Sequence, residues 1–186
     1  MSKHIIGFLG KFLFLIFILT SCEEELAINL LDPDNPDYEG EPSSLRISPQ
    51  LTNTNLNTAF NVDIYAVDVS DISLIQIEIE YDDLYMQYEN IAQGEFLDDF
   101  SGGNIFIDQE ISSNTIQVTI GGLESSDGIG LYGTGALFSI SFMSNSNPSD
   151  SVAIVIKSAE FQTFVDGSNT VIVDINQIVN GQVTIQ

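Results

Sequence analysis

The chain has one cysteine, one histidine and no tryptophan among its 186 residues, and only four lysines and arginines. A single cysteine, Cys22, excludes an internal disulfide framework. The single histidine is His4. From residue 22 onward the chain therefore lacks the parts for Ser-His-Asp or Cys-His nucleophiles and for zinc sites built from His and Cys. Any chemistry there would rest on carboxylates, tyrosines and one lysine. Against the four cations stand 27 Asp and Glu residues. That balance excludes nucleic acid as a partner, because such binding is dominated by cation–phosphate contacts. Anionic lipid surfaces and phosphorylated substrates are disfavoured on the same ground. High negative charge serves solubility, a saline habitat, or the steering of cationic partners and calcium.

What is present begins with an address. Lys3, His4 and Lys11 make a weakly basic start, and an apolar run follows from Phe12 to Leu19. A bilayer span needs about 20 apolar residues, so residues 1–21 read as a cleaved signal rather than an anchor helix. Leu19-Thr20-Ser21-Cys22 resembles the lipobox of bacterial lipoproteins. The resemblance implies cleavage before Cys22 and lipid on that residue, with stable attachment through more than one acyl chain. Residues 22–43 read as a lipid-anchored acidic linker: Glu23, Glu24 and Glu25 open it, and Pro33, Pro36 and Pro42 with interspersed acids oppose a packed core. The acidic run after the cysteine also resembles the surface-export signal of lipoproteins in the Bacteroidetes lineage, which implies the outer membrane or cell surface. Asp32, Asp34 and Asp37 lack the glycine and distal glutamate of a helix-loop-helix calcium site. After cleavage the chain keeps all 27 acids against two cations, Arg46 and Lys157.

From residue 44 to 186 the apolar pattern has a period of two. Phe60, Val62 and Ile64 alternate with Asn61, Asp63 and Tyr65, and Ile75, Ile77, Ile79 and Tyr81 alternate with Gln76, Glu78 and Glu80. Ile116, Val118 and Ile120 alternate with Gln117 and Thr119. Asn, Asp, Ser and Gly clusters separate the runs at the intervals of an all-β sandwich or barrel. No stretch carries a helical apolar stripe. The expected fold is an antiparallel two-sheet β-sandwich of about nine strands, each with one buried and one solvated face.

Motifs that point to chemistry are outweighed by simpler readings. Asp82-Asp83, Asp98-Asp99 and Glu78/Glu80 are carboxylate pairs of the kind that hydrolyse glycosides when held about 5 to 9.5 Å apart. Among 27 acids such adjacency is expected by chance. "GIGLYG", residues 128–133, satisfies G-x-G-x-x-G, but a strand pattern follows where a dinucleotide site needs a helix. Asp166-Gly167-Ser168 reads as a hairpin turn. Asp98, Asp99, Asp108 and Glu110 are candidate calcium ligands, with a solvated acidic loop as the simpler reading.

"LRISP", then "NTAFNVDIYAVDVSDISLIQIEIEYDDLYMQYENI", resembles the opening of a cohesin domain. "TIQVTIGG" with "GTGALFSISFMS" resembles its centre, and "SAEFQTFVDGSNTVIVDINQIVNGQVTIQ" its end. The resemblance spans nearly all of 44–186 and implies a jelly-roll sandwich with no catalysis. It also implies a protein partner bearing a dockerin, received on the sheet that holds the third, fifth, sixth and eighth strands. Mapped by strand order, Gln76, Glu78, Glu80, Gln117 and Thr119 face that partner, with Ala153, Val155 and Lys157 on the eighth strand. Glu78 and Glu80 make the face more acidic than the resemblance requires. The rival expectation is a carbohydrate-binding module recognising polysaccharide. Such a platform generally needs exposed aromatic faces; the chain has no tryptophan, and Tyr65, Tyr85 and Tyr132 are the candidates.

Overall fold

Isoleucine at every second position gives "LIQIEIEY" one fully buried face. Ile75, Ile77 and Ile79 have lost all but a trace of their exposure, whereas Gln76 between them is exposed. Each such isoleucine contributes about 1.5–3 kcal/mol of burial, so a one-residue slip of this strand would turn its whole apolar set into water. The computed structural model describes residues 43–123, 130–148, 151–165 and 169–186. Residues 40–186 form one compact unit. The signal, Cys22 and the acidic linker up to residue 42 lie outside the described residues.

Twelve strands follow in chain order: β1 (Ser44–Ser48), β2 (Leu51–Thr54), β3 (Ala59–Ile72), β4 (Leu74–Tyr81), β5 (Met86–Gln93) and β6 (Asn104–Ser112). Then come β7 (Thr115–Gly122), β8 (Leu131–Ser144), β9 (Val152–Val165), β10 (Asn169–Val173), β11 (Gln177–Val179) and β12 (Gly181–Ile185). One short 3₁₀ turn, Glu95–Asp99, joins β5 to β6. The first sheet has the order β11-β1-β3-β8-β5, and the second the order β2-β12-β9-β4-β7-β6, with β10 beside the distal half of β9.

The expected all-β sandwich is what the chain forms. Short strands at the margins raise the count from about nine to twelve. They also add two parallel pairs, β1 with β11 and β2 with β12, to an otherwise antiparallel structure. The cause is that the chain changes sheets twice along the same margin. Pro49 breaks the first strand pattern, because it has no N–H to donate. Asn180 separates β11 from β12.

The core lies between the two inner faces. Ile77 and Ile79 of β4 and Val118 of β7 face Ile64 of β3 and Phe138, Ile140 and Phe142 of β8 across it. Phe142 stacks on Phe60 with ring centroids 5.7 Å apart and meets Tyr81 at 5.1 Å. Phe96 of the 3₁₀ turn lies over Gly135, where a Cβ would come within 2.5 Å of its ring. Only glycine admits that approach.

The period-two reading fails over a stretch of β3. Ile64, Tyr65, Ala66 and Val67 are all buried, and the pairing of β3 with β8 shifts register between Ile64 and Tyr65 and again after Ala66. Asp68 and Asp71 beyond it adopt φ of 48° and 58°, a left-handed conformation that Asp tolerates better than most residues.

Candidate interaction surface

The second sheet brings together the strands to which the resemblance implies a binding face. Cross-strand register decides which side chains share that face, since directly opposed residues point the same way. Gln76 of β4 lies opposite Thr119 of β7 and Glu160 of β9. Glu78 lies opposite Gln117 and Ser158, and Glu80 opposite Val155. All five predicted residues, Gln76, Glu78, Glu80, Gln117 and Thr119, are therefore on the outer face of one sheet. Ala153 and Val155 of β9 are on it as well.

Register also extends the face beyond the predicted set. Ile107 of β6 lies opposite Thr119, and Ile105 lies opposite Gly121. Both isoleucines point outward and are 56% and 50% exposed. Leu51 of β2 lies opposite Gln182 of β12 and is 67% exposed. The outer face thus carries an acidic and amide-rich middle with aliphatic side chains at both margins. Period alone does not single these residues out: Phe106, between the two isoleucines, is apolar as well, and it is the one that packs against the core.

A β-bulge shapes the middle of the face. The pairing of β4 with β9 shifts between Glu78 and Ile79, because Ile79 opposes Ile156 while Glu78 opposes Ser158. Lys157 is the extra residue, and its Nζ reaches Glu80 Oε2 at 3.1 Å. The bulge has a sequence signal: β9 buries Ile154 and Ile156, then Phe161, so the alternation changes parity between them. Beside the bulge, Gln76, Glu78, Gln117, Ser158 and Glu160 surround a shallow hollow of about 150 Å³. The Gln162 amide donates to Glu160 at its rim.

A larger groove of about 470 Å³ lies further along the same face, lined by Leu51, Ala153, Val155, Ile178 and Gln182. It sits where the chain crosses from β11 to β12. There the Asn180 side-chain oxygen accepts a hydrogen bond from the backbone N–H of Ile156 at 2.9 Å. That bond satisfies the edge of β9 just past the end of its pairing with β12.

The other candidates lie apart from this face. Asp98 and Asp99 belong to the 3₁₀ turn, and Asp108 and Glu110 to β6. Asp108 accepts a hydrogen bond from Tyr88 at 3.2 Å, and Glu110 one from Tyr81 at 3.4 Å. Burial first, and the neighbouring carboxylates second, push both phenols up to about 12. Among the described residues, no three His, Cys, Asp or Glu side chains form a group that could hold a metal ion.

The three tyrosines offered for sugar stacking do not form a platform. Tyr65 is buried under the irregular stretch of β3, and Tyr132 is exposed. Tyr85 accepts from Asn145 just past the C-terminal end of β8, whereas Tyr132 stands at the strand's beginning. Of "GIGLYG", residues 128 and 129 lie outside the described residues, and Leu131 opens β8, a strand where a dinucleotide site would need a helix. β9 and β10 pair antiparallel, and Asp166-Gly167-Ser168 lies outside the described residues.

No protein-family model matches the chain, and no curated protein matches it. Solved structures do. A non-cellulosomal cohesin from the archaeon Archaeoglobus fulgidus is 20% identical, with a TM-score of 0.61 over 78% of this chain and 92% of that one. The sixth cohesin of scaffoldin B from Acetivibrio cellulolyticus, solved with a mutant dockerin, is 17% identical, with a TM-score of 0.62 over 78% of this chain and 100% of its own. A type I cohesin from Clostridium thermocellum, solved in a complex with dockerin, is 12% identical, with a TM-score of 0.62 over 80% and 98%. The fold of residues 43–186 is a cohesin-like β-sandwich.

Proposed function

We propose that this chain is a non-catalytic binding module, held in the bacterial cell envelope by lipid on Cys22, that captures a protein partner on the outer face of its second sheet. The carrying observation is the juxtaposition of Gln76, Glu78, Glu80, Gln117 and Thr119 on one sheet face. That sheet orders its strands β9-β4-β7-β6, the arrangement the cohesin resemblance implies for a docking sheet. Structural neighbours solved with dockerins support a dockerin-bearing partner. Calcium, if used, belongs to the partner in this reading. The location is the outer membrane or cell surface, with residues 22–43 as the tether.

The test is affinity capture from the host's secretome with residues 40–186 as bait, once with calcium and once with chelator. Retention of one protein carrying paired calcium-loop repeats, lost on chelation, is expected. The variant carrying Glu78→Lys and Gln117→Lys places two cations opposite each other on the face. It should lose capture while keeping its unfolding midpoint, and undiminished capture would remove the face from the proposal. Retention of polysaccharide without protein would replace the reading with a carbohydrate-binding one.

A further inference from the structure

The two depressions on the outer sheet face differ in chemistry, and the difference specifies what would fill them. The hollow beside the bulge is bordered by Glu78 and Glu160, with Gln76, Gln117 and Ser158 also on its rim and Ile77 and Ala159 between them. The Lys157 ammonium is drawn away from it toward Glu80 at 3.1 Å. A partner carboxylate would meet two like charges there, whereas a partner cation would meet two opposite ones within reach of amide and hydroxyl groups. The groove beyond places aliphatic Leu51, Val155 and Ile178 beside the amides of Gln50, Asn180 and Gln182, and Leu51 is 67% exposed. Its exposed aliphatic side chains gain from apolar cover, and among the described residues no charged one lines it. Val155 lines the groove while Ser158 and Glu160 line the hollow. The two are therefore about 10–15 Å apart along β9, at roughly 3.3 Å per residue.

We infer that the partner's docking surface is basic and aliphatic in a fixed spacing: one lysine or arginine enters the hollow between Glu78 and Glu160, and aliphatic side chains cover the groove at Leu51 and Val155. This rests on the proposed role of the sheet face and adds the partner's chemistry to it. The face discriminates by charge in the hollow, where a wrong partner pays for like charges, and by shape in the groove.

The test needs no partner protein. All described strands and the whole core lie within residues 40–186, so that segment, labelled with ¹⁵N, is titrated at 150 mM NaCl with three probes. N-acetyl-arginine amide should move the backbone amides of Gln76, Glu78, Gln117, Ser158 and Glu160 saturably. Its neutral isostere, N-acetyl-citrulline amide, should leave them in place. N-acetyl-leucine amide should move Leu51, Val155 and Gln182 instead. The double variant Glu78→Gln, Glu160→Gln should weaken the arginine response roughly fivefold or more, and its spectral dispersion reports whether it has folded. Arginine shifts spread equally over Asp82, Asp83 and Glu89, or equal shifts with citrulline, would overturn the inference. The outcome separates from that of the capture experiment. A mapped hollow and groove with no captured protein upholds the surface chemistry and removes the tethering role. A captured protein indifferent to the double variant and to Val155→Asp overturns the inference and leaves the tethering role standing.

Discussion

The Thr163 hydroxyl donates to Asp71 Oδ2 at 3.0 Å, tying β9 of one sheet to β3 of the other across 92 residues of chain. The exposed Tyr132 phenol also hydrogen-bonds Asp71, which raises its ionisation above the ordinary range. Gly130 approaches so closely that a Cβ would lie 2.2 Å from the Asp71 carboxylate. One residue in a left-handed conformation thus links the two sheets at the end of the sandwich opposite the β4–β5 turn.

Asp71→Val removes both bonds and places a β-branched residue at a φ of 58°. A loss of about 2–4 kcal/mol is expected by urea unfolding, the sum of a lost charged hydrogen bond and backbone strain. Asp71→Asn keeps the conformation and one acceptor, so it should cost about 1 kcal/mol. Equal losses for the two variants would contradict this account.

Truncation of the core separates the two faces of β4. Ile77→Ala leaves a cavity between the sheets and should cost about 2–5 kcal/mol. Gln76→Ala, one position away on the solvated face, should change stability by less than about 0.5 kcal/mol. Thermal or urea unfolding of the two variants measures both.

Tyr81 and Tyr88 stay protonated further into alkali than ordinary tyrosines, their phenols pushed up to about 12. A folded-state value above the unfolded one favours the fold fully at pH below about 10, and that contribution is lost as pH rises through about 12. Stability should therefore fall between pH 10 and 12, and fall less in the variant carrying Tyr81→Phe and Tyr88→Phe. Tyrosinate absorbance at 295 nm should show two fewer late-titrating groups in that variant than in the native chain.

The Glu80–Lys157 pair is a surface contact, with side chains 45% and 54% exposed. Such pairs contribute about 0–1 kcal/mol, so Lys157→Met should leave the unfolding midpoint nearly unchanged. The same variant frees Glu80 and makes the face more acidic. A large drop in stability would show that Lys157 holds the bulge rather than merely filling it.

The sequence by itself determined the all-β class and the buried face of β4 and β7. It also determined the absence of thiol and imidazole chemistry after Cys22, because residue types and a period of two are local properties. The resemblance to cohesins, and not the period, implied one shared face for Gln76, Glu78, Glu80, Gln117 and Thr119. Period two, however, says only which residues share a side of a strand, and not which strands are neighbours. Only the tertiary structure decided that Ile105, Ile107 and Leu51 join that face, because cross-strand register sets their neighbours. The burial of Tyr65, the crossing at Asn180 and the two parallel edge pairs depend equally on contacts between distant segments. The bulge at Lys157 stands between the two cases. Its change of parity is written in the sequence from Ile156 to Phe161, but the ion pair and the hollow it creates exist only once β4 lies beside β9.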